Sequence, residues 1–200
     1  MDTGLKGKLV IITGGARGLG YASATKFALE GAEIVLADIN EEMVKESAAK
    51  LHEETGAVCH AYRLDVSRVD EIKAFFAKIK ADFGRVDILI NNAGIFFFDD
   101  VVEVNTSRLE TMTGLHMATP TLLCHLFGRA MKRRGHGHIL NMASMAATFA
   151  VPGIAVYAAS KSYLKIFSKA LYNELYDYGV TVTAVCPGAV ATDLYGLPPR

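Results

Sequence analysis

The stretch KLVIITGGARGLG, from Lys8 to Gly20, decides how the chain is read. Lys8 to Thr13 is a short apolar run of strand length, and Gly14 to Gly20 is rich in the residue that lets bare backbone approach a ligand. Tyr21 to Glu30 then has helical spacing and is closed by Gly31. A strand, a glycine turn and a helix in that order make a crevice where unpaired helix N–H groups point at an anion. Gly14, Arg17, Gly18, Leu19 and Gly20 are therefore candidates to hold the pyrophosphate of a dinucleotide.

The alternation continues downstream. Glu33 to Asp38 is a second apolar run, and from Asn40 the segment NEEMVKESAAKLHEE shows helical spacing with an N-cap and acids in its first turn. Val58 to Leu64 predicts a third strand, and Ser67 with Asp70 resembles a capping box that opens a helix through about Phe83. Ile88 to Ile90 follows as strand, then a long helix from about Leu109 to Arg133, strand His138 to Met142, helix Tyr157 to Tyr178 and strand Val180 to Val185. Strands this apolar are buried on both faces, which calls for helices on either side and right-handed crossovers. The expected fold is α/β, a doubly wound parallel sheet of Rossmann type in three layers, α/β/α. With no repeat, low-complexity segment or linker to divide them, residues 1–200 are expected to form a single domain.

Asp38 ends the second run 20 residues beyond Gly18, near the spacing at which an acid accepts hydrogen bonds from an adenosine ribose. A carboxylate there repels a 2′-phosphate, and Ile39 stands where a phosphate-binding base could have stood. NAD is the expected cofactor; NADP stays possible because Arg17 could pair with a phosphate.

Tyr157 and Lys161 are four apart on an expected helix, so the phenol and the ammonium share a face. A tyrosine of ordinary pKa, about 10, exchanges protons poorly at neutral pH, and a nearby cation favours its phenolate. Ser144 ends the run HILNMAS 13 residues before Tyr157, at the carboxyl end of a strand, where the ligand crevice of such a sheet lies. Its hydroxyl is a candidate to bind a substrate oxygen. Y-x-x-x-K alone is a common pattern. Here it coincides with the glycine turn, with Asn91-Asn92-Ala93-Gly94 after the fourth strand, and with Pro187-Gly188 through Thr192 after the sixth.

In these five signals and their order, the chain resembles the short-chain dehydrogenase/reductase family, from about Leu5 to Thr192. The resemblance implies NAD(P)-dependent oxidoreduction of CH–OH and C=O groups, with Tyr157 as acid/base, Ser144 positioning the reacting oxygen, and Lys161 tuning the tyrosine and binding the nicotinamide ribose. It also implies Asp65 and Val66 at the adenine, Asn91, Ala93 and Gly94 along the cofactor cleft, and Pro187, Gly188, Val190 and Thr192 near the carboxamide. A homo-oligomer, commonly a dimer paired through the two long helices, is implied too.

Two features depart from the family. Members usually carry an asparagine in the long helix, acting chiefly through its main-chain carbonyl, and ungapped counting back from Ser144 puts His116 there. Pro120, four residues on, has no N–H for the His116 carbonyl, so the helix is expected to kink and His116 to contribute backbone, its imidazole an optional extra. Members also continue for several tens of residues past the position of Thr192, so a substrate lid, a helix and a last strand are expected to be absent and the sixth strand to be an exposed edge.

Composition narrows the remaining classes. Charges balance at 21 Lys and Arg against 21 Asp and Glu, leaving no global field for nucleic acid or an acidic membrane, and 51% of residues are hydrophobic, against disorder. Lys132-Arg133-Arg134 falls at an expected helix C-terminus, where cations suit the dipole. No run approaches the ~18 apolar residues of a membrane span, and MDTGLKGK lacks the apolar core of a signal peptide. Cys59, Cys124 and Cys186 form no C-x-x-C pair and fit reduced thiols, hence a cytoplasmic setting. The histidines show no metal-ligand spacing, and no metal is expected.

Ile95-Phe96-Phe97-Phe98 reads equally as core or as the wall of an apolar pocket, and with the resemblance it suggests an apolar ketone or secondary alcohol as substrate. Two other functions stand beside the reductase: a cofactor-binding redox sensor or scaffold without turnover, and a hydrolase using Ser162 with Lys165, for which no S-D-N or K-T-G accompanies the S-x-x-K.

Overall fold

The computed structural model describes residues 3–190 and 194. Six parallel strands form one sheet in the order β3-β2-β1-β4-β5-β6. They are β1 (Leu9–Thr13), β2 (Glu33–Asp38), β3 (Cys59–Arg63), β4 (Ile88–Asn91), β5 (Gly137–Met142) and β6 (Val180–Val185). The helices are α1 (Gly18–Leu29), α2 (Glu41–Thr55), α3 (Val69–Phe83), α4 (Thr106–Thr113), α5 (Thr119–Arg134) and α6 (Ala155–Leu175). This is the doubly wound Rossmann-type fold expected above, and its strand order reverses between β1 and β4, which opens a crevice at their carboxyl ends. Among the described residues, β3 and β6 are the edges of the sheet.

Period-2 alternation sorts the strand side chains into two cores. Val10, Ile12, Ile34, Leu36, Ile88 and Ile90 pack under α1 and α2, through Ala24, Ala28, Val44 and Leu51. Leu9, Ile11, Val35, Leu89 and Ile139 face the other way, against Phe75 and Ile79 of α3 and Leu123 and Phe127 of α5. Helices therefore lie on both sides of the sheet.

Two local expectations need correction. Ser67 and Asp70 do not form a capping box. Asp65 Oδ1 accepts hydrogen bonds from both the amide and the hydroxyl of Ser67, and α3 starts after Arg68 with no side-chain cap. An aspartate two residues upstream competes for the serine and wins by proximity. The long helix is also interrupted. Between α4 and α5, residues Gly114–Ala118 form a π-helical turn, where the Thr119 amide reaches back to the Gly114 carbonyl. This π-helical turn precedes Pro120, which lies in the first turn of α5, where a missing N–H costs little.

Candidate active site

The crevice at the strand reversal is held together by side chains from β1 and β4. Thr13 Oγ1 accepts from the Asn92 and Ala93 amides at 3.1 and 3.3 Å, and Asn92 Nδ2 donates to the Thr13 and Gly14 carbonyls at 3.1 and 2.9 Å. The glycine turn and the Asn92-Ala93-Gly94 segment are thereby locked side by side. Gly14 and Gly18 adopt φ of +61° and +56°, and a Cβ on Gly14 would come within 2.9 Å of Ala93 Cα. A Cβ on Gly20 would fall 2.2 Å from the Gly14 carbonyl oxygen, so Gly20 lets α1 pack against the turn. Helix α1 opens with no side-chain cap and no acid in its first turn, leaving its first N–H groups for an anion. A bare backbone cradle at a helix N-terminus without a side-chain cap fits a dinucleotide pyrophosphate.

Above the cradle lies a cleft of about 420 Å³. Gly14, Arg17, Gly18, Leu19 and Asp38 line one end, where the Asp38 carboxylate accepts from the Ala16 and Asn40 amides, each at 3.2 Å. Asp65 and Val66 line it, as do Ala93 and Gly94, then Pro187, Gly188 and Val190. Ser144, Tyr157, Lys161 and His116 share this same cleft. Thr192 lies outside the described residues.

Asn91 differs from its expected place. Leu89 and Asn91 share a strand face, so the Asn91 side chain turns away from the cleft, and its Nδ2 donates to Asn141 Oδ1 at 2.7 Å and to Cys124 Sγ at 3.4 Å. Asn141 Nδ2 in turn donates to Ser168 Oγ at 2.9 Å, so β4, β5, α5 and α6 meet in one buried polar network. It is Asn92, on the opposite face, that reaches the cleft.

Tyr157 is 4% exposed and its ring makes T-shaped contacts with two others, Phe96 at 5.0 Å and His116 at 5.6 Å between centroids. Lys161 Nζ sits 5.6 Å from the Tyr157 ring centroid and donates to the Met142 carbonyl at 2.8 Å, and burial pulls its pKa down to about 8. The ammonium thus survives at neutral pH. Ser144 caps a 3₁₀ turn (Met145–Thr148), its Oγ accepting from the Ala146 amide at 3.1 Å. His116 is 1% exposed, and its pKa falls to about 3, first through burial and then through Lys161, so the ring is neutral. The imidazole is no spare part: both of its nitrogens are hydrogen-bonded.

The phenylalanine run divides. Phe97 is core, under the Arg108 guanidinium at 4.5 Å; Phe96 packs on Tyr157; Phe98 is 70% exposed. Ser162 donates to the Ala147 and Ala158 carbonyls, an arrangement that gives no activated nucleophile. All three cysteines are free thiols. Among the described residues, no group of three or more His, Cys, Asp or Glu side chains is arranged to hold a metal ion, and no helix is long and apolar enough to cross a membrane.

Comparison with known proteins agrees with the geometry. The family model described as short chain dehydrogenase matches residues 8–196. "Probable oxidoreductase EphD" of Mycobacterium tuberculosis is 36% identical over 187 residues, 93% of this chain, but the chain spans only 31% of that protein. The structure of L-sorbose reductase from Gluconobacter frateurii, complexed with NADPH and L-sorbose, superposes with a TM-score of 0.91 at 31% identity, over 96% of this chain and 73% of that one. NAD+-bound xylitol dehydrogenase does so with a TM-score of 0.87 at 28% identity, over 92% and 71%.

Proposed function

The chain belongs to the short-chain dehydrogenase family, and from that premise we propose that it moves a hydride between a nicotinamide cofactor and the carbon of a secondary alcohol or ketone, with Tyr157 as the acid/base. The observation that carries this is the sharing of one cleft by the glycine cradle and by Ser144, Tyr157 and Lys161. When bound, the nicotinamide gives or takes the hydride. The chain's own groups do the rest. In reduction the Tyr157 phenol donates its proton to the carbonyl oxygen; in oxidation the phenolate takes it from the alcohol. Ser144 Oγ already accepts from the Ala146 amide, which leaves its O–H to donate to that same oxygen as charge builds there. The Lys161 ammonium, fixed on the Met142 carbonyl, favours the phenolate.

NAD is the cofactor this site favours. The Asp38 carboxylate, held by two amides, faces the end of the cleft where a 2′-phosphate would bring like charge, a juxtaposition that costs several kcal/mol. Equilibrium titration is expected to give NAD an advantage of at least about 10-fold over NADP. Asp38→Asn combined with Ile39→Arg, which keeps the side-chain shape, removes the charge and adds a cation, is expected to invert the ratio. Equal affinities in the wild type would remove the assignment.

An apolar ketone or secondary alcohol is the favoured substrate, because Ile95, Leu115, Val190 and Leu194 line the cleft. Xylitol and L-sorbose, named with the two structural relatives, are the polar counterparts. Spectrophotometry of NADH and NAD turnover across cyclic and aryl ketones, secondary alcohols and these two sugars tests the proposal. Turnover with the apolar set supports it, turnover with the sugars alone moves the substrate to polyols, and cofactor binding with no turnover anywhere leaves a redox sensor or scaffold.

A further inference from the structure

We infer that the His116 imidazole is a positioning residue for Tyr157, a neutral strut that fixes the tyrosine's helix against the backbone on the far side of the cleft; this rests on the acid/base role proposed for Tyr157. The hydrogen bonds define the strut. His116 Nε2 lies 3.2 Å from the Ile95 amide nitrogen, and an amide N–H can only donate, so Nε2 is the acceptor and the ring proton sits on Nδ1. Nδ1–H then donates to Ser160 Oγ at 2.9 Å, and Ser160 donates onward to the Tyr157 carbonyl at 2.8 Å. Every donor in the chain from Ile95 to Tyr157 has one acceptor, and all run in a consistent direction.

The surroundings pack the ring closely in this arrangement. The π-helical turn carries His116 between α4 and α5, and Ser160 precedes Lys161 on α6, within one turn of Tyr157. A Cβ on Gly94 would fall 2.8 Å from His116 Nε2, so the cofactor-side backbone lies directly on the imidazole. The imidazole also makes a T-shaped contact with the Tyr157 ring, the planes 74° apart. One side chain thus touches the cleft backbone at Gly94 and Ile95, the tyrosine ring, and the helix turn that carries that tyrosine. A second proton on the ring would set N–H against the Ile95 N–H and add charge beside Lys161, and the lowered pKa agrees with a ring that stays neutral. The ionisable side chains beside it are Lys161 and Tyr157, both on α6, and the segment after β4 offers it only backbone.

His116→Phe keeps the ring's packing and removes both hydrogen bonds, while Ser160→Ala cuts only the link to α6. Each is expected to lower kcat by about 10- to 100-fold, as sub-ångström misplacement of an acid/base does, with KM and the NAD dissociation constant within about 3-fold of wild type. The double variant is expected to lose little more than either single one, because both break the same link. The pH profile of kcat/KM is expected to keep its limbs in His116→Phe, since a neutral strut contributes no titration; a lost limb would make His116 a proton-transfer group instead and overturn the positioning role. Nitrogen NMR of histidine-labelled wild-type protein is expected to show the Nδ1–H tautomer with no titration between pH 5 and 8 (about the ordinary histidine range). A ring found as the Nε2–H tautomer, or a kcat untouched by both substitutions in folded protein, overturns the positioning role alone. Turnover that survives Tyr157→Phe overturns the acid/base reading and the positioning role with it.

Discussion

Tyr157→Phe is expected to lower turnover by about 10²- to 10⁴-fold, the range for loss of a positioned acid/base, while leaving NAD affinity and the melting temperature near wild type. The substitution removes one oxygen. The ring keeps its edge contacts with Phe96 and His116, so packing of the cleft wall is retained. Because the hydroxyl acts on the substrate oxygen only as charge develops there, the loss should fall on kcat rather than on KM. Stopped-flow of NADH oxidation, beside calorimetric NAD binding, reads both quantities. A kcat within about 3-fold of wild type would be incompatible with general acid/base work by this phenol.

The second large effect carries opposite signs for activity and stability. Lys161→Met should abolish measurable turnover and yet stabilise the fold at pH 7 by about 1–3 kcal/mol. Lys161 is 6% exposed, and burial lowers its pKa from 10.5 to about 8, so at neutral pH the fold carries a charge it would be more stable without. Against that gain stands the hydrogen bond to the Met142 carbonyl, which methionine cannot make. The pH dependence carries the proof. Between about 8 and 10.5 the unfolded chain keeps a proton that the folded chain has released, so wild-type stability should rise with pH across that window. In Lys161→Met the rise should be missing. Urea unfolding at pH 7 and pH 9.5 measures it, and a destabilised, pH-matched variant would mean that the ammonium helps hold the fold together.

Much of this was legible in the sequence because the sheet is buried on both faces. Runs such as Leu9–Thr13 and Glu33–Asp38 leave few alternatives to interior parallel strands, and a glycine turn after the first of them marks the crevice. The carboxyl ends of β1, β4 and β5 carry Gly14, Gly94 and Ser144, so knowing the strands largely locates the cleft. What escaped was set by geometry between distant residues. The partners of His116 are Ile95 and Ser160, 21 and 44 positions away, and no local pattern announces them. A π-helical turn has no sequence period of its own; Pro120 hinted at a break and not at its shape. Ser67 is the local exception: its spacing to Asp70 suits a helix cap, but Asp65, two residues before it, reaches forward and takes both its amide and its hydroxyl. The Asn91 and Asn92 distinction was within reach, since strand alternation puts Asn91 on the face of Leu89 and only Asn92 on the side that braces the glycine turn.

Direct transfer of the cofactor's hydride to carbon can be followed with NADH deuterated at nicotinamide C4 and the best ketone of the panel. Mass and proton NMR spectra of the product should place one deuterium on the carbinol carbon, with its yield collapsing in Tyr157→Phe. An alcohol product without deuterium there, using cofactor labelled on both faces of C4, would contradict hydride transfer by this chain.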